Sequence, residues 1–239
     1  MARLDSARTS HEPDPTVSVI IPTLNEEQVL ASTLRRAQQP GVGEIIVVDG
    51  GSTDTTRLIA GELADRVFSA PRGRAVQMNA GAAQARGDVL LFLHADTLVP
   101  DGYADAVLRA CADPAVVGGR FDVSLQPSSP LLWLTAELIN RRSRLTRIAT
   151  GDQAIFVRRA TFERLGGYAP IPLMEDIELS RRLKHAGGIA CLRERVVTSA
   201  RRWQKNGVMR TIWLMWTLRG LYFVGVPPAR LQQMYRNTR

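Results

Sequence analysis

The sequence is poor in the features that would settle its class at a glance. Only 2 of its 239 residues are cysteine, and Cys111 and Cys191 have no Cys or His pair beside them. Neither a zinc-ligand spacing nor an oxidised disulfide framework is therefore expected, and a reducing cytosol is the default compartment. Aromatic residues reach only 6%, and there is no internal repeat. At 45% hydrophobic and 23% charged, the chain is neither disordered nor collagen-like. Its most apolar stretch, Ile212 to Val226, contains Arg219 and two glycines. It is shorter than the roughly 20 apolar residues that span a bilayer. Met1 to Thr16 lacks the apolar core of a secretory leader and reads as a loose tail. No loop matches G-x-G-x-x-G or G-x-x-x-x-G-K-[ST], which disfavours a nicotinamide oxidoreductase or a P-loop NTPase.

What the chain has in excess is positive charge. Lys plus Arg is 31 against 23 for Asp plus Glu, a formal balance of +8. That excess points to an anionic partner, whether nucleic acid, an acidic membrane surface or a phosphate-bearing substrate. The first half alternates short apolar runs with amphipathic stretches. VSVII at Val17–Ile21, EIIVV at Glu44–Val48 and DVLLFL at Asp88–Leu93 read as buried strands. Asp65–Ser69 and Val116–Leu125 are further strand candidates. Helices are expected from Glu26 to about Gln38, capped by Asn25, then up to Leu63, over Arg74–Ala85 and over Pro100–Ala112. Strand–loop–helix units in succession imply right-handed crossovers and an α/β fold with a mostly parallel sheet flanked by helices. Later helices are expected at Pro130–Ile148 and Met174–His185, with a strand at Gln153–Val157. The division that follows is a tail at 1–16, a catalytic domain at 17–204 and a C-terminal helical extension at 205–239, facing a membrane or a second subunit.

Open α/β sheets bind ligands outside the carboxyl ends of their strands. Thr23, Asn25, Asp49, Asp54, His94 and Asp96 stand there. Capping and turn formation are the plain alternatives for each. They fit Asp96 least, because it ends a long apolar strand and precedes Thr97-Leu98-Val99-Pro100 rather than a helix. A carboxylate beside an anionic substrate usually shares a divalent metal with it.

The segments VSVIIPTLNEE (17–27), IIVVDGGSTDTT (45–56), AGAAQARGDVLLFLHADT (80–97) and LMEDIELSRRLKHAG (173–187) together resemble the family 2 glycosyltransferases of GT-A fold. The forms RGRAVQMNAGA, FLHADT, GDQAIFVRR and SARRW are similar to a compact bacterial subgroup assigned to arsenosugar or carotenoid-glycoside pathways. The resemblance implies an inverting transferase that moves a hexose from a UDP- or GDP-sugar to a hydroxyl or carboxyl acceptor, with Mg²⁺ or Mn²⁺. It lays Pro22, Thr23, Asn25 and Glu26 along the nucleotide, gives Asp49 a hydrogen bond from the base, and brings Arg74 to the base or diphosphate. Ala95 and Asp96 fall in the family's D-x-D element, with Asp96 as metal ligand. His94 replaces the first Asp, as a softer ligand or a support. Asp176, with Glu175 beside it, falls at the acceptor-side acidic pair and would act as general base. By their residues alone, both are ordinary first-turn helix acids. Gly151, Asp152 and Gln153 would line the acceptor side. Arg202 and Trp203 are similar to the end of the Q-x-x-R-W element of processive relatives. Thr198 or Ser199 takes the place of its Gln, so processivity is not implied.

The arginines gather in two groups, Arg141, Arg142, Arg144 and Arg147, then Arg193, Arg195, Arg201 and Arg202. Trp133, Trp203, Trp213 and Trp216 stand near them in the chain. Basic and aromatic residues together mark an interfacial surface, here a peripheral enzyme at the cytosolic leaflet with a lipid among its acceptors. Packing of the late apolar helix on the catalytic domain, or in a homo-oligomer, is the alternative. Nucleic-acid binding is not expected, since no stacking platform or recognition helix accompanies the charge. A sugar nucleotidyltransferase would need a glycine-rich triphosphate loop, which Pro22-Thr23-Leu24-Asn25 is not. An inactive nucleotide-sugar-binding or membrane-associated scaffold draws its best argument from His94.

Overall fold

The computed structural model describes residues 14–201 and 207–237. The greater part of the expected tail lies outside the described residues, as do Arg202, Trp203 and the boundary drawn at 204/205.

Eight strands form one sheet: β1 (Val17–Thr23), β2 (Val42–Asp49), β3 (Arg66–Ser69), β4 (Val89–Phe92), β5 (Thr97–Leu98), β6 (Val116–Gln126), β7 (Ile155–Arg158) and β8 (Gly188–Ser199). Their order is β3-β2-β1-β4-β7-β6-β8-β5. The β3-β2-β1-β4 half is parallel, as is the long β6–β8 pair. β7 and β5 join antiparallel. Every residue of β1 is buried, as a central strand covered on both faces must be. Its side chains divide with period two. Val17, Val19 and Ile21 enter one core with Leu91, Phe121 and Phe156, while Ile20 enters the other with Leu90, Phe92 and Tyr168.

Helices α1 (Leu30–Ala37), α2 (Thr56–Leu63) and α4 (Tyr103–Ala112) cover the first core, and α3 (Arg74–Ala82), α6 (Arg159–Arg164) and α7 (Glu175–Ala186) the second. The expected inner stripe of α1 is fully buried at Leu30, Leu34 and Ala37. Its start differs from the expectation. Asn25 has φ +54° and the helix begins only at Leu30, so Asn25 does not cap it.

The long helix α5 (Pro130–Thr146) is capped by Ser129, whose hydroxyl accepts from the Leu132 N–H. The late helices α8 (Val208–Phe223) and α9 (Pro228–Asn237) set Leu218 and Leu231 into a small core with Leu173, Met174 and Ile177 around the start of α7. Among the described residues no helix is long and apolar enough to cross a membrane. Neither β5 nor β8 was expected. β5 is two residues long, and β8 runs through Arg193-Glu194-Arg195, where no alternation of buried and exposed positions marks a strand.

Candidate active site

The carboxyl ends of β1, β2 and β4 meet on one edge because these strands are parallel neighbours: Thr23 lies opposite Asp49, and Phe92 opposite Ile20. The loops leaving β1 and β2 are stapled together. The Asn25 carboxamide oxygen accepts from the Thr53 N–H at 2.9 Å, and the Asn25 N–H donates to the Ser52 hydroxyl at 2.9 Å. The Glu26 N–H donates to Thr56 Oγ1 at 2.8 Å, and Glu27 accepts from Thr55 Oγ1 at 2.8 Å. Asn25 adopts a left-handed conformation that its short amide tolerates. Its function here is to join two loops.

Pro22 and Thr23 belong to β1 itself and are buried. Asp49 is 1% exposed. Its carboxylate accepts from the Gly51 and Ser52 N–H groups at 3.0 Å each, from the Ser52 hydroxyl, and from Thr23 Oγ1 at 3.5 Å. With about four lone pairs on a carboxylate, a nucleotide base reaching Asp49 must displace one of these donors. Gln77, which the sequence did not single out, donates from Nε2 to the carbonyls of Thr23 and Val48 and locks the ends of β1 and β2 together.

At the end of β4 the chain turns. Ala95 is buried and its carbonyl accepts from Thr33 Oγ1 at 2.7 Å. The next residue, Asp96, is half-buried, and its carboxylate has no hydrogen-bond or ion-pair partner among the described residues. His94 lies beside the Gly151 turn. A Cβ placed on Gly151 would lie 2.6 Å from His94 Nε2 and 3.8 Å from Asp176 Oδ2, so imidazole, glycine backbone and carboxylate converge. Among the described residues no group of three or more His, Cys, Asp and Glu side chains is arranged to hold a metal ion.

Asp176 sits in the first turn of α7. Its Oδ2 accepts from the Gly151 N–H at 2.8 Å, and its Oδ1 from the Ile177 N–H at 2.7 Å. The Gly151–Gln153 turn that supplies the first donor is closed by a box in which Gln153 Oε1 accepts from the Thr150 N–H and hydroxyl. Gln153 is fully buried, whereas Gly151 and Asp152 are half-buried. Asp152 Oδ1 is buried without a hydrogen-bond partner.

Glu175 is buried, and its Oε1 pairs with Arg74 Nε at 3.0 Å. Burial holds the Glu175 carboxyl above its ordinary pKa; Arg74 opposes the shift and Asp176 adds to it. The Glu175 carboxylate in turn raises Arg74. Arg74, expected at the base or diphosphate, thus spends its Nε on Glu175. Tyr168, buried beside this group, is pushed up by burial and then by the charges of Asp176 and Glu175. Met78, Phe92, His94, Ile155, Tyr168, Glu175 and Asp176 surround one small cavity. Thr198, noted at the Q-x-x-R-W position, has its hydroxyl tied to that of Thr97 at 2.9 Å between β8 and β5.

The expected basic clusters divide. Arg144 pairs with Asp122, which Arg120 also engages, and Arg195 pairs with Glu137. Arg141, Arg193 and Arg201 are exposed.

Comparison with known proteins sets this geometry in context. The family model described as "Glycosyl transferase family 2" matches residues 18–163. A PGL/p-HBAD biosynthesis glycosyltransferase of Mycobacterium bovis (strain BCG / Pasteur 1173P2) is 35% identical over 169 residues, 64% of this chain and 63% of that one. The mannosyltransferase PcManGT from Pyrobaculum calidifontis, solved with GDP-Man and Mn²⁺, is 25% identical with a TM-score of 0.61. That likeness covers 86% of this chain and 60% of the other. Glucosyl-3-phosphoglycerate synthase from Mycobacterium tuberculosis shares the fold at 20% identity and a TM-score of 0.60, over 90% and 81% of the two chains. The chain spans from 26% to 63% of the length of the first curated relatives it matches.

Proposed function

The chain belongs to the family 2 glycosyltransferases, and from that premise we propose that it moves a hexose from a UDP- or GDP-sugar to an acceptor hydroxyl or carboxyl by direct, inverting displacement. The observation that carries this reading is the placement of two carboxylates around the end of β4. We read Asp96, unengaged by the described residues, as the donor-side carboxylate, and Asp176, whose Oδ2 accepts from the Gly151 N–H near His94, as the acceptor-side one.

Asp176 takes the proton of the acceptor hydroxyl as its oxygen attacks the anomeric carbon. A base in this position needs reach and a fixed orientation more than an unusual pKa, and two backbone N–H groups fix its oxygens. Glu175 neutralises Arg74 and lies behind the base. Pro22, Thr23, Asn25, Glu26 and Asp49 shape the nucleotide side, with Asp49 holding its own turn in place. Asp96 offers a hard oxygen, unengaged by the described residues, that would hold a divalent ion. Such an ion, Mg²⁺ or Mn²⁺, the latter present in the solved mannosyltransferase, would supply neutralising charge for the leaving nucleotide diphosphate. His94 packs on the loop that supports Asp176, so the metal is assigned to Asp96 alone.

The same reading places the acceptor side at an anionic membrane surface. Large exposed apolar side chains concentrate on α5, with Leu131, Trp133, Leu134, Leu138 and Leu145, and on α8, with Met209, Trp213, Trp216 and Phe223. Exposed Arg141 and Arg210 lie on these helices too. Trp with Arg on a helical surface matches the headgroup layer of an anionic leaflet. We assign that leaflet to the cytosolic side, with a lipid among the acceptors.

A thermal-unfolding titration tests the donor reading. UDP or GDP with Mn²⁺ at about a hundred times Kd should raise the midpoint by roughly 5–10 °C. The rise should depend on the metal and disappear in Asp96→Ala. A flat response to every nucleotide would leave the inactive scaffold as the better reading.

A further inference from the structure

Two guanidinium groups, one on α5 and one on α8, are not satisfied by the described residues. Arg142, on α5, has Nε and Nη2 buried without hydrogen-bond partners. Arg219, on α8, has no hydrogen bond or ion pair among the described residues, yet its charge acts directly on Arg142, as do those of Asp152, Asp176 and Arg120. Val208, at the start of α8, packs against a small core that includes Leu132 and Ala136 of α5. The other nearby cations are already committed, Arg120 and Arg144 to Asp122 and Arg74 to Glu175.

A buried cation with unmade donors is among the most unfavourable groups a fold can carry. A second cation beside it makes matters worse. Burial and then Arg219 push the Arg142 guanidinium down to about 10. Asp152 and Asp176 oppose that shift without supplying a hydrogen bond to Arg142. An oxyanion placed between the two forks would accept from both and relieve their repulsion. Carboxylates and phosphates have the bidentate geometry that guanidinium prefers.

We propose that Arg142 and Arg219 form an oxyanion pocket beside Asp176, and that the acceptor carries a phosphate or carboxylate near the hydroxyl it presents to the base. The inference rests on the reading of Asp176 as the acceptor-side base, and it narrows the acceptor from any hydroxyl compound to an anionic one. The anion is either that of a soluble metabolite or that of a lipid headgroup. Its distance from the reacting oxygen is set by the span between the pocket and Asp176.

The test is a titration of glycerol 3-phosphate into the full chain, with UDP or GDP and Mn²⁺ saturating so that the diphosphate site is filled. Glycerol serves as the neutral control. Saturable binding of glycerol 3-phosphate but not glycerol is expected, weakened at least tenfold in Arg142→Gln and in Arg219→Gln and partly kept in Arg142→Lys. The variants should retain metal-dependent nucleotide binding, which also reports that they are folded. In parallel, phosphatidylcholine vesicles with and without phosphatidic acid are presented to the same proteins. Arginine-dependent binding of the soluble phosphate assigns a soluble acceptor, and the same dependence seen only with phosphatidic acid assigns a lipid one. No arginine-dependent binding in either arm, or equal affinity in wild type and both glutamine variants, overturns the pocket. Failure of the wild type to bind any nucleotide diphosphate would count against the transferase reading alone, because the phosphate titration is also readable without nucleotide.

Discussion

Glu175 and Asp176 are adjacent in sequence and differ in almost everything physical. Asp176 is half-buried with both oxygens on backbone N–H groups, whereas Glu175 is buried with one oxygen on Arg74 and the other unpartnered. Because folding raises the Glu175 pKa, the folded chain holds that proton more readily than the unfolded one. Stability therefore falls as pH rises from the ordinary glutamate range through the raised value. Urea unfolding of wild type and Glu175→Gln between about pH 4 and 7 measures this effect. The stability of wild type relative to the variant should decrease steadily with pH; a constant or rising difference contradicts the assignment. At this scale, the sequence singled out Asp96 because an Asp ending an apolar strand needs a reason, whereas Asp176 stood out only through the family resemblance, its residue type alone reading as a first-turn helix acid. The state of Asp49 was not legible. Its donors come from its own turn and from Thr23 on the neighbouring strand, and only the folded register brings the latter into reach. Arg142 was visible merely as one of four arginines along one helix, and only the folded chain shows that its Nε and Nη2 are buried.

Among the elements, β1, β2, β4 and the inner face of α1 could be read from apolar runs and a helical stripe, since each faces a core directly. β8 could not, because its edge-facing charges interrupt the pattern while its pairing with β6 supplies the order. The start of α1 was misplaced for a related reason: Asn25 looks like a helix cap, yet its side chain bonds across to Thr53. Asn25→Ala combines loss of that bond with a left-handed φ and should cost about 1–2 kcal/mol. Asn25→Gly, which relieves only the backbone, should cost less, and chemical denaturation of both variants gives the comparison. Helix α3 lies on the sheet through Gly81, where a Cβ would come within 2.5 Å of Ile20 Cγ2 and 3.1 Å of Val48 Cγ2. Gly81→Ala should therefore destabilise the chain by roughly 1–3 kcal/mol. Gly61→Ala, on α2 with nothing near its Cβ, should instead be neutral or stabilising.

Across the whole molecule, the excess of +8 resolves into arginines with different tasks. Some, such as Arg120 and Arg144, close internal ion pairs, and others stand exposed among the tryptophans of α5 and α8. Flotation with phosphatidylglycerol vesicles at low ionic strength should carry the protein to the lipid fraction, with release as salt rises. Trp213→Ala combined with Trp216→Ala should weaken the association. No flotation at low salt would remove the membrane from the account and leave a soluble transferase. The central claim is the catalytic one, and it is tested most directly at Asp176. Release of nucleoside diphosphate from UDP-glucose or GDP-mannose, with Mn²⁺ and glycerol 3-phosphate, is followed for wild type and Asp176→Asn, together with donor affinity. Loss of a positioned general base should lower release by about 10²- to 10⁴-fold with donor affinity unchanged; release at the wild-type rate would contradict the account.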